Sequence, residues 1–367
     1  MITLNLSPET KVGKIINQDD KNITVRSEGG TIAKLTHEQF YKYIKQENIA
    51  VTRAKVLFSQ KQKGIIPEIV DKIYQSRVDI KKQLKKLKLK LSKTSKDSPD
   101  YKQLKTEVDR LDIKQFTLKI LINTVYGYFG NKYAPIGDPD IARSITLTGQ
   151  AVIKQSNQIL RQYIKEHSNE EFEKIDPVIY NDTDSSYISL KPLLESKGIP
   201  FHVDSVVTKE AIEQADMIED YLNIEITKWA RSSLNSIDPR FVFKREAMSD
   251  AGMFLAKKRY VLHMLDDEGI PCDKFKYTGV EVVRTTMPAS IKPEVKSIIE
   301  LMLTTKSYTE TNNKFVEVYD KFKSLPVEDY AFVMGIKDYD KYASKCNSFN
   351  TVKHMPIHVK ASYINKT

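Results

Sequence analysis

Apolar and polar positions alternate over Asn22-Ile23-Thr24-Val25-Arg26 and again over Thr31-Ile32-Ala33-Lys34-Leu35, with Ser27-Glu28-Gly29-Gly30 between them. A period of two interrupted by turn residues predicts a β-hairpin. Glu38 to Gln46 reads as a helix, and Ala50-Val51-Thr52 with Val56-Leu57-Phe58 as a second short β pair. From Met1 to about Asp20 no repeating pattern stands out, and Pro8 argues against a helix there.

The period changes at Ile66. Apolar residues recur at threes and fours through Ile69, Ile73, Ile80, Leu84, Leu87 and Leu91, with Pro67 placed in the first turn, so a long amphipathic helix is predicted. Lys93 to Asp100 carries Ser, Thr, Asp and Pro99 and reads as a turn. Leu104, Val108, Leu111, Leu118, Ile122 and Val125 mark a second helix. The two form an antiparallel hairpin with its tip placed near Ser98. Arg77 and Lys119 are then equidistant from the tip and meet near its base. Lys81 and Asn123 lie one helical turn further along the same faces. Three cations and an amide gathered in this way suit phosphate oxygens. A solvated face of a lysine-rich hairpin explains the same residues equally well. Gly127, in Tyr126-Gly127-Tyr128-Phe129, suits a helix C-cap, and Asp138-Pro139-Asp140 opens a third helix to roughly Lys165.

Val178-Ile179-Tyr180 and Tyr187-Ile188 with Leu190 flank Asn181-Asp182-Thr183-Asp184-Ser185-Ser186, which places two carboxylates at a hairpin tip. Such a pair repels itself unless a cation intervenes, and hard divalent ions such as magnesium prefer carboxylate oxygens. A solvated polar turn is the commoner reading of so short a motif.

The chain has 367 residues, 40% hydrophobic and 29% charged, enough for two or three domains. Its net charge of +10 suggests an anionic partner such as nucleic acid. Cys272 and Cys346 are too few for a disulfide framework and fit a reducing compartment. His354 and His358 are four apart, but Pro356 breaks the helix that a histidine-pair metal site needs. No signal peptide or membrane-spanning stretch is visible, so a cytoplasmic protein is expected.

Lys119-Ile120-Leu121-Ile122-Asn123-Thr124-Val125-Tyr126-Gly127, with Asp182-Thr183-Asp184-Ser185 downstream, resembles the second and third motifs of family B DNA polymerases. Gly64-Ile65-Ile66-Pro67 leading to Arg77, Arg245-Glu246-Ala247, and Lys257-Lys258-Arg259-Tyr260 come in the order of that family, particularly its tailed-bacteriophage replicative branch. The resemblance implies an α+β fold: palm over 1–64 and 129–290, helical-hairpin fingers over 65–128 and the first part of a thumb over 291–367. It implies that Asp182 and Asp184 sit beside two magnesium ions, with Glu246 a carboxylate near them that does not ligate directly. Arg77, Lys81 and Lys119 would hold the incoming triphosphate, supported by Asn123, with Lys119 a candidate proton donor to pyrophosphate. Tyr126 would lie against the nascent base pair. Gly127, Lys258, Arg259 and Tyr260 would contact the DNA, the last three at the primer end.

The family's first motif, an Asp before Ser-Leu-Tyr-Pro-Ser, is not in this sequence, although Asn5-Leu6-Ser7-Pro8-Glu9-Thr10 resembles the family's segment just C-terminal to that motif. The exonuclease domain and the distal thumb with its clamp-binding tail are not in it either. Asn181 stands where the family usually has Gly, and Lys244 where the phage branch often has an acid. The expectation is one piece of a split enzyme that adds deoxynucleotides to primer-template DNA with an N-terminal polymerase/exonuclease polypeptide as partner. The competing readings are a catalytically inactive DNA-binding remnant and, more remotely, a lysine-rich assembly factor.

Overall fold

A computed structural model describes residues 1–172, 174–332, 335–346 and 355–366; His354, of the histidine pair above, lies outside the described residues, as does Thr367. The fold is α+β, as expected, and divides into two units. The first comprises Met1–Glu246 with Glu268–Ile270 and the second Ala247–Asp267 with Pro271–Thr367.

The first unit begins with a sheet. Its strands are β1 (Lys11–Gln18), β2 (Asn22–Ser27), β3 (Ile32–Thr36), then after helix α1 (His37–Gln46) β4 (Ile49–Val51) and β5 (Val56–Ser59), in the order β3-β2-β1-β5-β4. The hairpin, helix and second β pair read from the pattern are present. The patternless opening proves to contain the central strand, β1. Its alternation is hidden because register shifts interrupt its pairing with both neighbours, between Ile15 and Asn17 and between Lys11 and Gly13, and only Gly13 and Ile15 are buried. Gly13 is required: a β-carbon there would come within 2.6 Å of the Arg26 carbonyl oxygen. Thr36 caps α1, accepting from the Gln39 N–H while the Gln39 side chain accepts from the Thr36 N–H, and Phe40 and Ile44 pack onto Ile15, Ile23, Ile49 and Leu57.

Helices α2 (Ile65–Ser92) and α3 (Pro99–Gly130) form the predicted hairpin. Ile80, Leu84, Val108 and Leu111 are its buried seam, flanked by Leu87, Leu91 and Leu118; Ile69, on the predicted apolar stripe, is exposed. The turn spans Lys93 to Ser98, so its midpoint falls between Ser95 and Lys96, earlier than Ser98. The seam keeps that register, and Arg77 is level with the region of Lys114. Lys119 therefore lies roughly 7 Å nearer the base of the hairpin than Arg77, at about 1.5 Å per residue. The helical repeat located the faces, but the unequal loop shifted the register.

The N-terminal segment fastens the start of α2. Asn5 donates through Nδ2 to the carbonyls of Ser59 and Gln62, at 2.7 Å each, and its Oδ1 accepts from the Gly64 N–H at 2.8 Å. Glu9 accepts from the Ile65 N–H at 2.6 Å and from Ser7 at 2.7 Å. Burial pushes the Glu9 carboxyl up, but these donors outweigh it and hold the group below its ordinary value. A β-carbon on Gly64 would come within 2.7 Å of Ser7 Cβ, so the Gly-Ile-Ile-Pro entry to α2 and the segment after Asn5 are matched in shape.

Helix α4 (Pro139–Glu166) starts where predicted, capped by Asp138, whose Oδ1 accepts from the N–H groups of Asp140 and Ile141. Next come β6 (Val178–Asp182), β7 (Ser185–Ile188), α5 (Lys191–Ser196), the short pair β8 (His202–Val203) and β9 (Val206–Val207), and α6 (Lys209–Leu234). Leu190 falls outside β7; it is the residue before α5, whose first turn contains Pro192. Val152, Leu160 and Ile164 of α4 pack with Ile218, Leu222 and Ile226 of α6 and with Val178, which gives the acidic hairpin a firm base.

The second unit holds the sheet β10 (Ala247–Ala256), β11 (Arg259–Asp267) and β12 (Ile270–Thr278), and helices α7 (Lys292–Thr305) and α8 (Tyr308–Lys323). Val261, Val280, Val282, Met287 and Leu303 form its core. Among the described residues, no helix of either unit is long and apolar enough to cross a membrane.

Candidate active site

The β6–β7 hairpin closes in the tightest way available. Asp182 pairs with Ser185, leaving Thr183 and Asp184 as a two-residue turn, and the Asp184 N–H donates to the Asp182 carbonyl at 2.6 Å. Thr183 adopts φ 55°, a left-handed conformation unfavourable to a β-branched residue. Local strain of this kind is retained where the surroundings impose it, characteristically at sites of function. Here the Thr183 hydroxyl donates to Asp182 Oδ1 and the Ser185 hydroxyl to the Asp182 carbonyl, both at 3.1 Å. Asp182 is half-buried and Asp184 exposed.

Two asparagines hold the hairpin. Ser186 Oγ lies 2.8 Å from Asn181 Oδ1 and 3.1 Å from Oδ1 of Asn157, a buried residue of α4. Asn181, the departure from the usual Gly, thus has a local partner. Asn157 escaped the sequence reading; its only signal was a polar residue inside the apolar stripe between Val152 and Leu160.

The carboxylates of Asp182 and Asp184 match magnesium in donor type. Magnesium usually takes one or two protein carboxylates and completes its shell with water and substrate phosphates. Among the described residues no group of three His, Cys, Asp or Glu side chains comes together that could hold a metal. The pair therefore fits such an ion as a partial ligand set.

In the helical hairpin Arg77 is half-buried, and its Nε is enclosed without a hydrogen-bond partner. Lys81 Nζ lies 2.6 Å from Glu268 Oε1. Lys119, Asn123 and Tyr126 are exposed on α3 at successive turns. Gly127 is not the helix cap. The α3 hydrogen bonds continue to Gly130, with Asn131 as cap, because Phe129, 1% exposed, draws the last turn into the core with Leu4, Phe58 and Ile141. No atom lies within 4 Å of the position a Gly127 β-carbon would take, which leaves open space beside that turn.

Glu246 is exposed, and its carbonyl accepts from the Glu268 N–H at 2.6 Å. Arg245 beside it is occupied, its Nε 3.2 Å from Asp216 and its N–H donating to Glu219. In the second unit Lys258 is exposed at the β10–β11 turn with φ 61°, and Arg259 is paired with Glu281. Tyr260 is buried with its ring against Phe254. Gly279, which the sequence did not single out, is dictated by this turn: a β-carbon there would come within 2.0 Å of the Lys258 carbonyl oxygen.

Residues 1–355 match the sequence profile of DNA polymerase family B, and the chain belongs to that family. Among characterised proteins it is similar to the DNA polymerase of Trichoplusia ni ascovirus 2c, at 25% identity over 91% of this chain and 29% of the relative. It is also similar to the DNA-directed DNA polymerase of Escherichia phage RB69, at 27% over 62% of this chain and 26% of the relative, and to that of Enterobacteria phage T4, at 23% over 79% and 37%. The chain spans well under half the length of each.

Proposed function

We propose that this chain carries the nucleotide-adding part of a DNA polymerase, extending a primer 3′-hydroxyl from deoxynucleoside triphosphates in the order a template dictates. The observation that carries the reading is the strained two-residue turn presenting Asp182 and Asp184, anchored on α4, in a chain of family B. In this reading 1–64 and 129–290 act as palm, 65–128 as fingers and 291–367 as the start of a thumb.

Asp182 and Asp184 provide oxygen ligands, and Glu246 adds negative potential near them. Two magnesium ions, when bound, would activate the primer hydroxyl and stabilise charge on the leaving pyrophosphate. Arg77, with its unpartnered Nε, neutralises triphosphate oxygens together with Lys81 and Lys119, and Lys119 gives a proton to the leaving group. Asn123 orients that face, and Tyr126 with the open space at Gly127 meets the nascent base pair. Lys258 and Arg259 hold the primer backbone, and Tyr260 braces the β10–β11 turn from beneath.

Two carboxylates hold a divalent ion weakly. The reading therefore calls for a further carboxylate from additional polypeptide, joined to this chain or supplied by a partner that also bears the exonuclease. A second reading, DNA binding without chemistry, is supported by the small number of carboxylates that come together. Primer extension with magnesium and four deoxynucleotides separates them, run with the chain alone and with the exonuclease-bearing polypeptide, using Asp184→Asn as control. Extension abolished by Asp184→Asn supports synthesis; DNA binding with no extension in either setting supports the second reading.

A further inference from the structure

The far end of the α2–α3 hairpin carries most of the net charge of the chain. Residues 81–105 contain ten lysines and two acids, Asp97 and Asp100, a balance of +8 against +10 for the whole sequence. All of these lysines except Lys81 are exposed. None of the exposed nine lies within ion-pair distance of a carboxylate among the described residues, whereas cations elsewhere on α2 and α3, and on α6 and α8, are neutralised locally. Lys72 pairs with Glu68, Arg110 with Glu107, Lys228 with Glu225 and Lys314 with Glu317. Lys82, Lys86 and Lys90 recur at four-residue steps, a like-charge spacing that weakens a helix in isolation. The opposite face, with Leu84, Leu87 and Leu91, is taken up by packing on α3. The lysine face is thus a separate surface with an uncompensated field.

We propose that this face is a docking surface for the phosphate backbone of nucleic acid, separate from the residues assigned to the triphosphate and the primer end. It rests on the reading of the chain as part of a DNA-engaging enzyme. From Lys82 to Lys93 the helix runs about 16 Å, which matches roughly five phosphates of one strand at ~3.4 Å each. No large apolar side chain is exposed between Tyr74 and Ile113, so the surface lacks the aromatic platforms that stack bases and the apolar centre of a protein interface. Lysines alone read charge and not sequence, so the contact is non-specific and strongly dependent on salt.

The test is the salt dependence of binding by the full chain to a fluorescent DNA duplex with a single-stranded overhang. Lys82, Lys86, Lys90 and Lys93 are changed together to Gln, and in a second variant to Arg, with circular dichroism to verify the helices. The Gln variant is expected to lower the slope of log K against log salt by ~2 to 4, at about 0.9 for each phosphate it no longer neutralises, while the Arg variant keeps it. An unchanged slope in the folded Gln variant overturns the proposal. So does a loss confined to a polyglutamate probe with DNA binding intact, which would assign the face to an acidic protein. Primer extension is scored separately. A chain that shows the slope change but adds no nucleotides sinks the synthesis reading alone, and one that adds nucleotides with an unchanged slope sinks this proposal alone.

Discussion

Arg240 Nη1 donates to both carboxylate oxygens of Asp71, at 3.0 Å each, and Lys63 Nζ reaches the same carboxylate at 2.6 Å. Asp71 sits in the second turn of α2, so the helix that carries Arg77 and Lys81 is tied to the stretch that leads to Glu246. Lys63 contributes most to holding the Asp71 carboxyl below its ordinary value against the effect of burial, with Gln75 and Arg240 adding to it. A depressed carboxylate contributes stability that is present above the unfolded value, near pH 4, and is lost as pH falls through the folded value. Asp71→Asn is therefore expected to cost ~1–2 kcal/mol at pH 7, discounted for the exposure of both cations. The cost should shrink as the pH is lowered from 7 toward about 2. Urea unfolding at the two pH values checks this, and an equal cost at both would show that the charge is not the cause.

Asp184 presents the opposite case. It is exposed at the tip, and no lysine or arginine among the described residues pairs with it. Asp184→Asn should leave thermal stability within ~0.5 kcal/mol, or raise it slightly by relieving repulsion from Asp182, while abolishing magnesium-dependent synthesis. A large loss of stability would make Asp184 a structural residue and remove the main support for the catalytic role proposed for it.

Asn157 should behave as a positioning residue. Truncating it to Ala leaves the Ser186 hydroxyl with Asn181 alone and opens a gap against α4, at an expected cost of ~1–2 kcal/mol. Because the hairpin above it would be held less firmly, the magnesium concentration for half-maximal synthesis should rise several-fold with the triphosphate KM little changed. A loss of stability with no change in magnesium dependence would confine Asn157 to a packing role.

The two long helices, the acidic turn and the order of motifs were legible because each rests on local chemistry: a 3.6-residue repeat, turn residues between β-branched runs, and fixed spacings. What escaped was set by distant partners. β1 shows no clean alternation because two neighbours share it across register shifts. Gly127 looked like a helix end, but Phe129 is anchored in a core assembled from Leu4, Ala50 and Ala230, which no local pattern announces. The level of Arg77 against Lys119 depended on where the loop midpoint fell, and composition alone placed it near Ser98. Glu268 left no trace as a neighbour of Lys81, being far along the chain from it.

That pairing of Lys81 with Glu268 leads to a prediction about nucleotide use. Lys81 Nζ is 2.6 Å from Glu268 Oε1, with side chains 35% and 41% exposed, so a triphosphate held by Lys81 as proposed would compete with the carboxylate for the ammonium. A pair so exposed is worth ~0.2–1 kcal/mol. Removing the competitor by Glu268→Gln should therefore lower the KM for deoxynucleoside triphosphates by about 1.5- to 5-fold with kcat unchanged, whereas Lys81→Ala should raise it. The gain should shrink as salt rises, since both pairings are screened. Steady-state incorporation at low and moderate ionic strength measures this. If Glu268→Gln leaves KM where it was at low salt, Lys81 does not bind the triphosphate, and its pairing with Glu268 is simply a tie between α2 and the turn at Glu268.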